Sequence, residues 1–285
     1  MTVLALQGVA YRYAGATDWA LARIDLEVAA GEVVGITGAN DAGKSTLCLV
    51  AAGLAPGSIG GKLEGSVLIG GTESRELAPH AAAQRCGILF QNAATQLTGT
   101  TVTVWEEVAF GPRNLGLDLD AIIKRVEWAL RLARVEHLAE RQPDRLSGGQ
   151  AQLVALAAVL ALRPAVLILD EPTSQLDPAG TTLVGETLVG LARDTGTALL
   201  VVEHKTDLLA RIADRVIAIA AGRIALAGAA DVVLADPRLA ELGADPPAAI
   251  RLRRLAEAAG VGPAFSSGLA GAIAPGLAIA RETEQ

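Results

Sequence analysis

The run Gly38-Ala39-Asn40-Asp41-Ala42-Gly43-Lys44-Ser45 satisfies the spacing G-x-x-x-x-G-K-S/T. Its glycines let backbone N–H groups turn inward around phosphate oxygens, and a helix starting there directs its positive end at the same anion. Lys44 is placed to bridge the β- and γ-phosphates of a nucleotide and the Ser45 hydroxyl to ligate Mg2+, with Thr46 completing the nucleotide-contacting stretch. Alone, such a loop serves a kinase, a GTPase or a motor equally well.

Two further groups narrow the chemistry. The apolar run Ala165 to Leu169 ends in Asp170 and Glu171. A buried strand holds Asp170 rigidly near the metal, and Glu171, one residue on, can face an attacking water as general base. The second group is Leu146-Ser147-Gly148-Gly149-Gln150, ahead of a helix expected to run to Leu162. A serine and two glycines at a helix start form another anion site by the same dipole argument, whereas a plain N-cap needs only the serine. Two anion-binding helix ends in one chain suggest that one of them serves a second copy of the nucleotide site.

The elements that must position these residues follow from periodicity. Val3 to Tyr13 and Ile24 to Ala29 alternate like half-buried antiparallel strands. Glu32 to Thr37 is a short strand ending in the glycine-rich turn, and Lys44 to Leu54 reads as a helix stopping near Gly53. Gly87 to Phe90, Val166 to Leu169, Ala198 to Val202 and Val216 to Ile219 are apolar runs without alternation, as in strands covered on both faces. Helical stretches between them predict a mostly parallel sheet in a three-layer α/β domain. Residues 92–162 interrupt this rhythm: Ile122, Val126, Leu130 and Ala133 share one helical face, so a helical subdomain is inserted there. After Asp236, prolines punctuate an appendage, residues 236–285, with one helix at Ala248 to Ala259.

Composition sets limits on the class. The chain has 285 residues, 51 % of them hydrophobic, and a mean hydropathy of +0.40, yet no run approaches the roughly 18 apolar residues of a membrane helix. Leu153 to Leu169 is broken by Arg163 and Pro164, and Gly268 to Ala280 is short and contains Pro275. No basic region marks a signal peptide at the amino terminus. The net charge of −7 argues against a nucleic-acid surface. Cys48 and Cys86 lack metal-ligand spacing and read as reduced core residues of a cytoplasmic protein.

The pentapeptide LSGGQ, the phosphate loop, the strand LILDEP, the turn Ser174-Gln175-Leu176-Asp177 and the isolated His204 occur in one order over residues 1–235. That order resembles the ABC ATPase family. The resemblance implies a P-loop NTPase α/β fold with a mostly parallel core sheet, an N-terminal antiparallel β subdomain, the inserted helical subdomain and a small C-terminal appendage. It implies ATP and Mg2+ as cofactors. It gives Tyr13 the role of stacking on adenine, Gln91 that of touching Mg2+ and the attacking water, His204 that of contacting the γ-phosphate, and Asp177 that of coupling two sites across a dimer. It further implies that two subunits, identical or related, sandwich two ATPs, each between one phosphate loop and the partner's Ser147 to Gln150. The dimer would sit peripherally on the cytoplasmic face of the membrane, against an integral membrane component.

A narrower resemblance, to the ATPases of energy-coupling factor transporters of vitamins or transition-metal ions, rests on four stretches. These are Phe90-Gln91-Asn92 with Gln96-Leu97, Val108 to Pro112, Asn114 to Leu117, and Asp236-Pro237 with Leu242-Gly243. It implies a transmembrane T component, a separate S component that chooses the solute, and a dimerising role for the appendage. Another ABC importer or exporter branch is one alternative. A non-transport ABC protein is a second, although the chain lacks the long heptad insertion of repair types and the second ATPase domain of translation types; a small-molecule kinase would leave LSGGQ and Glu171 unexplained. Three positions depart from the family pattern: Asp41 replaces a glycine, Leu153 an arginine, and Gln175 a small residue.

Overall fold

The computed structural model describes residues 1–259. The chain opens with β1 (Thr2–Arg12), β2 (Leu21–Ala29), β3 (Val33–Thr37) and α1 (Lys44–Ala51), followed by β4 (Lys62–Ile69), β5 (Thr72–Glu73), α2 (Pro79–Arg85) and β6 (Cys86–Leu89). A helical block comes next: α3 (Val104–Asn114), α4 (Leu119–Leu132) and α5 (Gly148–Leu160). Alternation then resumes through β7 (Val166–Asp170), α6 (Pro178–Thr195), β8 (Ala198–Val202), α7 (Thr206–Ile212), β9 (Arg215–Ala220), β10 (Arg223–Ala229), α8 (Ala230–Ala235), α9 (Arg238–Glu241) and α10 (Ala248–Ala258).

Two sheets result. One is antiparallel in the order β2-β1-β4-β5. The other runs β10-β9-β3-β8-β7-β6, with β9, β3, β8, β7 and β6 parallel and β10 antiparallel at the edge. The unalternating apolar strands are explained by two separate cores. Along β7, Val166 and Ile168 join a core shared with β1, β2 and α1, while Leu167 and Leu169 join a second core with the helical block, α6 and α7. Successive side chains of a strand point to opposite faces, so a strand with both faces covered must be apolar throughout.

The helical block packs as its periodicity requires, with Ile122, Val126, Leu130 and Ala133 all buried in the second core. Asp118 caps α4 through the Ala121 amide, and Thr103 and Glu106 form a capping box on α3. Helix α1 ends three residues before the expected Leu54. Leu153 to Leu169 resolves into the end of α5 and strand β7, and among the described residues no helix is long and apolar enough to cross a membrane. Cys48 and Cys86 are buried free thiols; burial pushes Cys86 up to about 12 and Cys48 in the same direction. The segments around Pro263 and Pro275 lie outside the described residues.

Parallel pairing places the carboxyl ends of β3, β6, β7 and β8 along one edge. In an open α/β sheet, ligands bind in the crevice outside those ends.

Candidate active site

The phosphate loop leaves β3 at Thr37 and enters α1 at Lys44. Gly38, at φ +141°, is required by space: a Cβ there would collide with the Ile219 carbonyl oxygen. Gly43 precedes α1 in a left-handed conformation, and no side chain caps the helix. The first-turn N–H groups of α1 are therefore left without side-chain acceptors, which suits a phosphate. Asp41 sits at φ +60° and is exposed, a backbone that aspartate tolerates better than most residues. Asn40 is exposed beside it, while Ala42 is buried and accepts the Gly222 amide at 2.9 Å.

Lys44 is buried and folds back over the loop, donating from Nζ to the carbonyls of Gly38 (2.9 Å) and Ala39 (2.6 Å). Burial lowers its pKa, opposed by the carboxylates of Glu171, Asp170 and Asp41. Tyr13 reaches the same helix, with its Oη 3.0 Å from Thr46 Oγ1. Its ring stands edge-on to Tyr11 and is partly exposed, so one aromatic surface is open beside the loop.

Asp170 ends β7 in the buried sheet, and desolvation raises its pKa although the Ser45 hydroxyl hydrogen-bonds to it. Its Oδ1 is buried without a hydrogen-bond partner. An orphaned carboxylate oxygen beside a hydroxyl is a hard-oxygen pair that suits Mg2+, which commonly takes one or two protein ligands and completes its shell with phosphate oxygens and water. Among the described residues no cluster of three or more His, Cys, Asp or Glu could hold a metal. The buried Asp170 oxygen and the Ser45 hydroxyl fit a cation whose remaining ligands are phosphate and water.

Glu171 departs from the strand at φ +51°, a left-handed backbone unusual for a glutamate. Its amide still extends the ladder to the Val202 carbonyl, and its carboxylate is held on both sides. Gln91 Nε2 donates to Oε2 at 2.8 Å, and His204 Nε2 lies 3.0 Å from Oε1. The ends of β6, β7 and β8 thus converge on one carboxylate.

The remaining expected residues lie elsewhere. Ser147 caps α5: its Oγ accepts the Gln150 amide at 3.3 Å, and Gln150 Oε1 accepts the Ser147 amide at 3.1 Å. Gly148 and Gly149 pack against Gln175 and Leu176; a Cβ on Gly148 would lie 3.2 Å from Gln175 Oε1. Asp177 caps α6, accepting the Gly180 amide at 2.7 Å. Leu153 packs against the second core.

Two buried carboxylates, Glu107 and Glu203, lie outside every motif of the sequence. Glu203 Oε2 accepts the Thr173 hydroxyl at 2.6 Å, and its Oε1 accepts the amides of His204 (2.9 Å) and Lys205 (3.1 Å). It ties the turn after Glu171 to the turn bearing His204. Glu107 accepts from the Thr98 amide and from the hydroxyls of Thr98 and Thr101, fixing the loop that follows Gln91. An acid at helical spacing from Val104 and Val108 signalled Glu107, because that face is buried. Glu203, sandwiched between an apolar strand and His204, gave no periodic signal.

Comparison with known proteins identifies the family and the fold. A family model described as ABC transporter matches residues 21–174. An ABC transporter ATP-binding protein of Pyrococcus horikoshii is 42 % identical over 228 residues, 80 % of each chain. CbiO1 of Clostridium perfringens, described as part of the ABC transporter complex CbiONQ, superposes with a TM-score of 0.72 at 33 % identity, covering 82 % of this chain and 91 % of that one. A dimeric ATP-binding cassette in a post-hydrolysis state with ADP and Pi superposes with a TM-score of 0.70 at 27 % identity, covering 80 % and 98 %. With its phosphate loop, paired acids and LSGGQ helix in the positions described, the chain belongs to the ABC transporter ATP-binding family and is an ATPase of that family.

Proposed function

We propose that this chain powers solute uptake as one half of an ATPase dimer, on the cytoplasmic face of a membrane and against a separate membrane component. The observation that carries the reading is Glu171, held by Gln91 and His204 at the strand ends beside the phosphate loop.

ATP lies with its adenine on the Tyr13 ring and its phosphates over the backbone from Gly38 to Thr46, where Lys44 leaves the loop carbonyls for the β- and γ-phosphate oxygens. Ser45 and Asp170 would hold Mg2+, with Gln91 beside it, and the cation would supply charge neutralisation for the phosphates. A second ATPase subunit, identical or related, covers the γ-phosphate with its Ser147, Gly148, Gly149 and Gln150. The Ser147 hydroxyl can cap α5 and donate to phosphate at once, because a hydroxyl both accepts and donates. Glu171 retains acceptor capacity beyond Gln91 and His204, so it takes the proton of a water whose oxygen attacks the γ-phosphorus as the bond to the β–γ bridging oxygen breaks. His204 and Gln91 orient the carboxylate and the water, and Asp177 couples the two sites. ADP and phosphate leave, and the dimer reopens.

The energy-coupling factor branch, with a T component, an S component and a vitamin or transition-metal solute, is supported by the Phe90 to Leu97 and Val108 to Leu117 motifs and by the likeness to CbiO1. Affinity purification from native membranes tests it: recovery of a T-type and an S-type membrane protein supports the branch, and recovery of an exporter or a periplasmic-binding-protein importer overturns it.

A further inference from the structure

The segment beyond α8, which the sequence assigned to an appendage, does not stay apart from the nucleotide site. The Ala39 amide, inside the phosphate loop, donates to the Leu242 carbonyl at 2.9 Å. Gly243 follows at φ +77°, so close that a Cβ would lie 2.6 Å from Ala39 Cβ and 3.0 Å from its Cα. The turn is anchored in the second core by Leu239 and Ala244, both buried. From there the chain runs to a second attachment. The Thr206 hydroxyl, buried two residues after His204, donates to the Asp245 carbonyl at 2.6 Å, and Asp207 Oδ1 accepts the Ala248 amide at 2.8 Å.

We infer that residues 242–248 form a strap that holds the phosphate loop at Ala39 and the start of α7 at Thr206, positioning both for nucleotide binding. The physical case has three parts. A polar amide held inside the folded loop must find an acceptor, and for Ala39 the Leu242 carbonyl is that acceptor. Only a residue without Cβ allows the turn to approach Ala39 while adopting φ +77°. The strap's far end is fixed to the helix that directly continues from the His204 turn, so both sides of the site are referred to one segment. Leu242 and Gly243 act through the loop; they are positioning residues. The inference rests on the reading of residues 38–46 as the nucleotide site.

The test is titration calorimetry of ADP with Mg2+ against the full chain, with thermal melting in parallel and the KM and kcat for ATP as a further readout. Gly243→Ala should weaken ADP binding about tenfold, because a neighbour inside 3 Å must shift, and should raise KM more than it lowers kcat. Gly196→Ala is the control. It places a Cβ on the same left-handed backbone, φ +70°, where nothing lies within 4 Å, and far from the loop in sequence. It should lose thermal stability while keeping its ADP affinity. Adding Ala39→Gly to Gly243→Ala removes the nearest clash and should recover most of the lost affinity, the non-additivity expected of residues in contact. Should Gly243→Ala fail to fold, Thr206→Val tests the other attachment, with ADP binding weakened about threefold for one lost hydrogen bond.

Wild-type affinity in Gly243→Ala, equal loss in Gly196→Ala, or unchanged binding in Thr206→Val would each overturn the strap and leave the nucleotide site intact. A wild-type chain that binds no nucleotide would overturn both.

Discussion

Two helices of this chain begin in glycine-rich turns, and the two starts are finished differently. Helix α1 has no side-chain cap, and the nearest cation, Lys44, folds onto the loop's own carbonyls. Helix α5 is closed by a reciprocal box between Ser147 and Gln150 and packs its glycines against Gln175 and Leu176. The first start adjoins strand ends carrying Asp170, Glu171, Gln91 and His204; the second adjoins the Gln175–Leu176 turn. On the proposed reading, the first region would receive a triphosphate and act on it. The other is a surface already satisfied within the chain, and on the same reading it would gain a phosphate only when another subunit presents one.

That contrast can be broken at several points. Glu171→Gln should cut turnover by about 10² or more, the usual worth of a general base, while ATP binding persists; near-normal turnover in a steady-state assay would remove Glu171 from the role. At the second helix, Ser147→Asp keeps a good N-cap and puts a negative charge where phosphate should approach. Its melting temperature should stay near that of the wild type while ATP turnover falls by about tenfold or more, for a lost phosphate donor. A matched fall in melting temperature, or full turnover, would make α5's start merely structural.

Asp170→Asn sharpens the account of the strand ends. Burial raises the Asp170 pKa above its unfolded value, so the group favours folding only at low pH, and that contribution is lost as pH rises through the folded pKa. The variant should therefore melt higher than wild type near neutral pH, with the gain fading as pH falls below about 4, where the wild-type carboxyl becomes protonated in both states. Hydrolysis should be lost at every pH. The smallest effect belongs to Asp41→Gly, which relieves φ +60° at a cost of roughly 1 kcal/mol or less and removes a negative charge near the phosphates. ATP affinity measured by calorimetry should hold or tighten; a large loss would give the Asp41 side chain a binding role.

The sequence was most legible where local pattern and tertiary demand coincide. β8 is an unbroken apolar run, buried throughout, and both of its ends, Ala198 and Val202, coincide with the ends of that run. Ser147 was visible as a cap because capping needs only a hydroxyl three residues from an amide. Three strands, β4, the two-residue β5 and β10, show no strand pattern in the sequence, the first and last for identifiable reasons. β4 is interrupted at Gly65, whose φ of +79° and approach to the Gln7 and Gly8 carbonyls shift the pairing with β1, so its alternation fails. β10, with the run Ile224 to Ala229 rich in alanine and glycine, carries no β-branched pattern beyond Ile224. Within the site, residue types gave the chemistry, yet the convergence of Gln91 and His204 on Glu171 spans separations of 80 and 33 positions. No periodicity reports such contacts. The strap at Leu242 was invisible for the same reason.

The central claim is that neither helix start makes a working site without a partner's other one. It is tested most directly by measuring ATP turnover per protomer across serial dilution of the purified full chain, with light scattering to follow mass. Turnover per protomer should fall toward zero as the population becomes monomeric, while ADP affinity stays constant. Undiminished turnover by a demonstrably monomeric chain, equally fast with Ser147→Asp, would contradict the account.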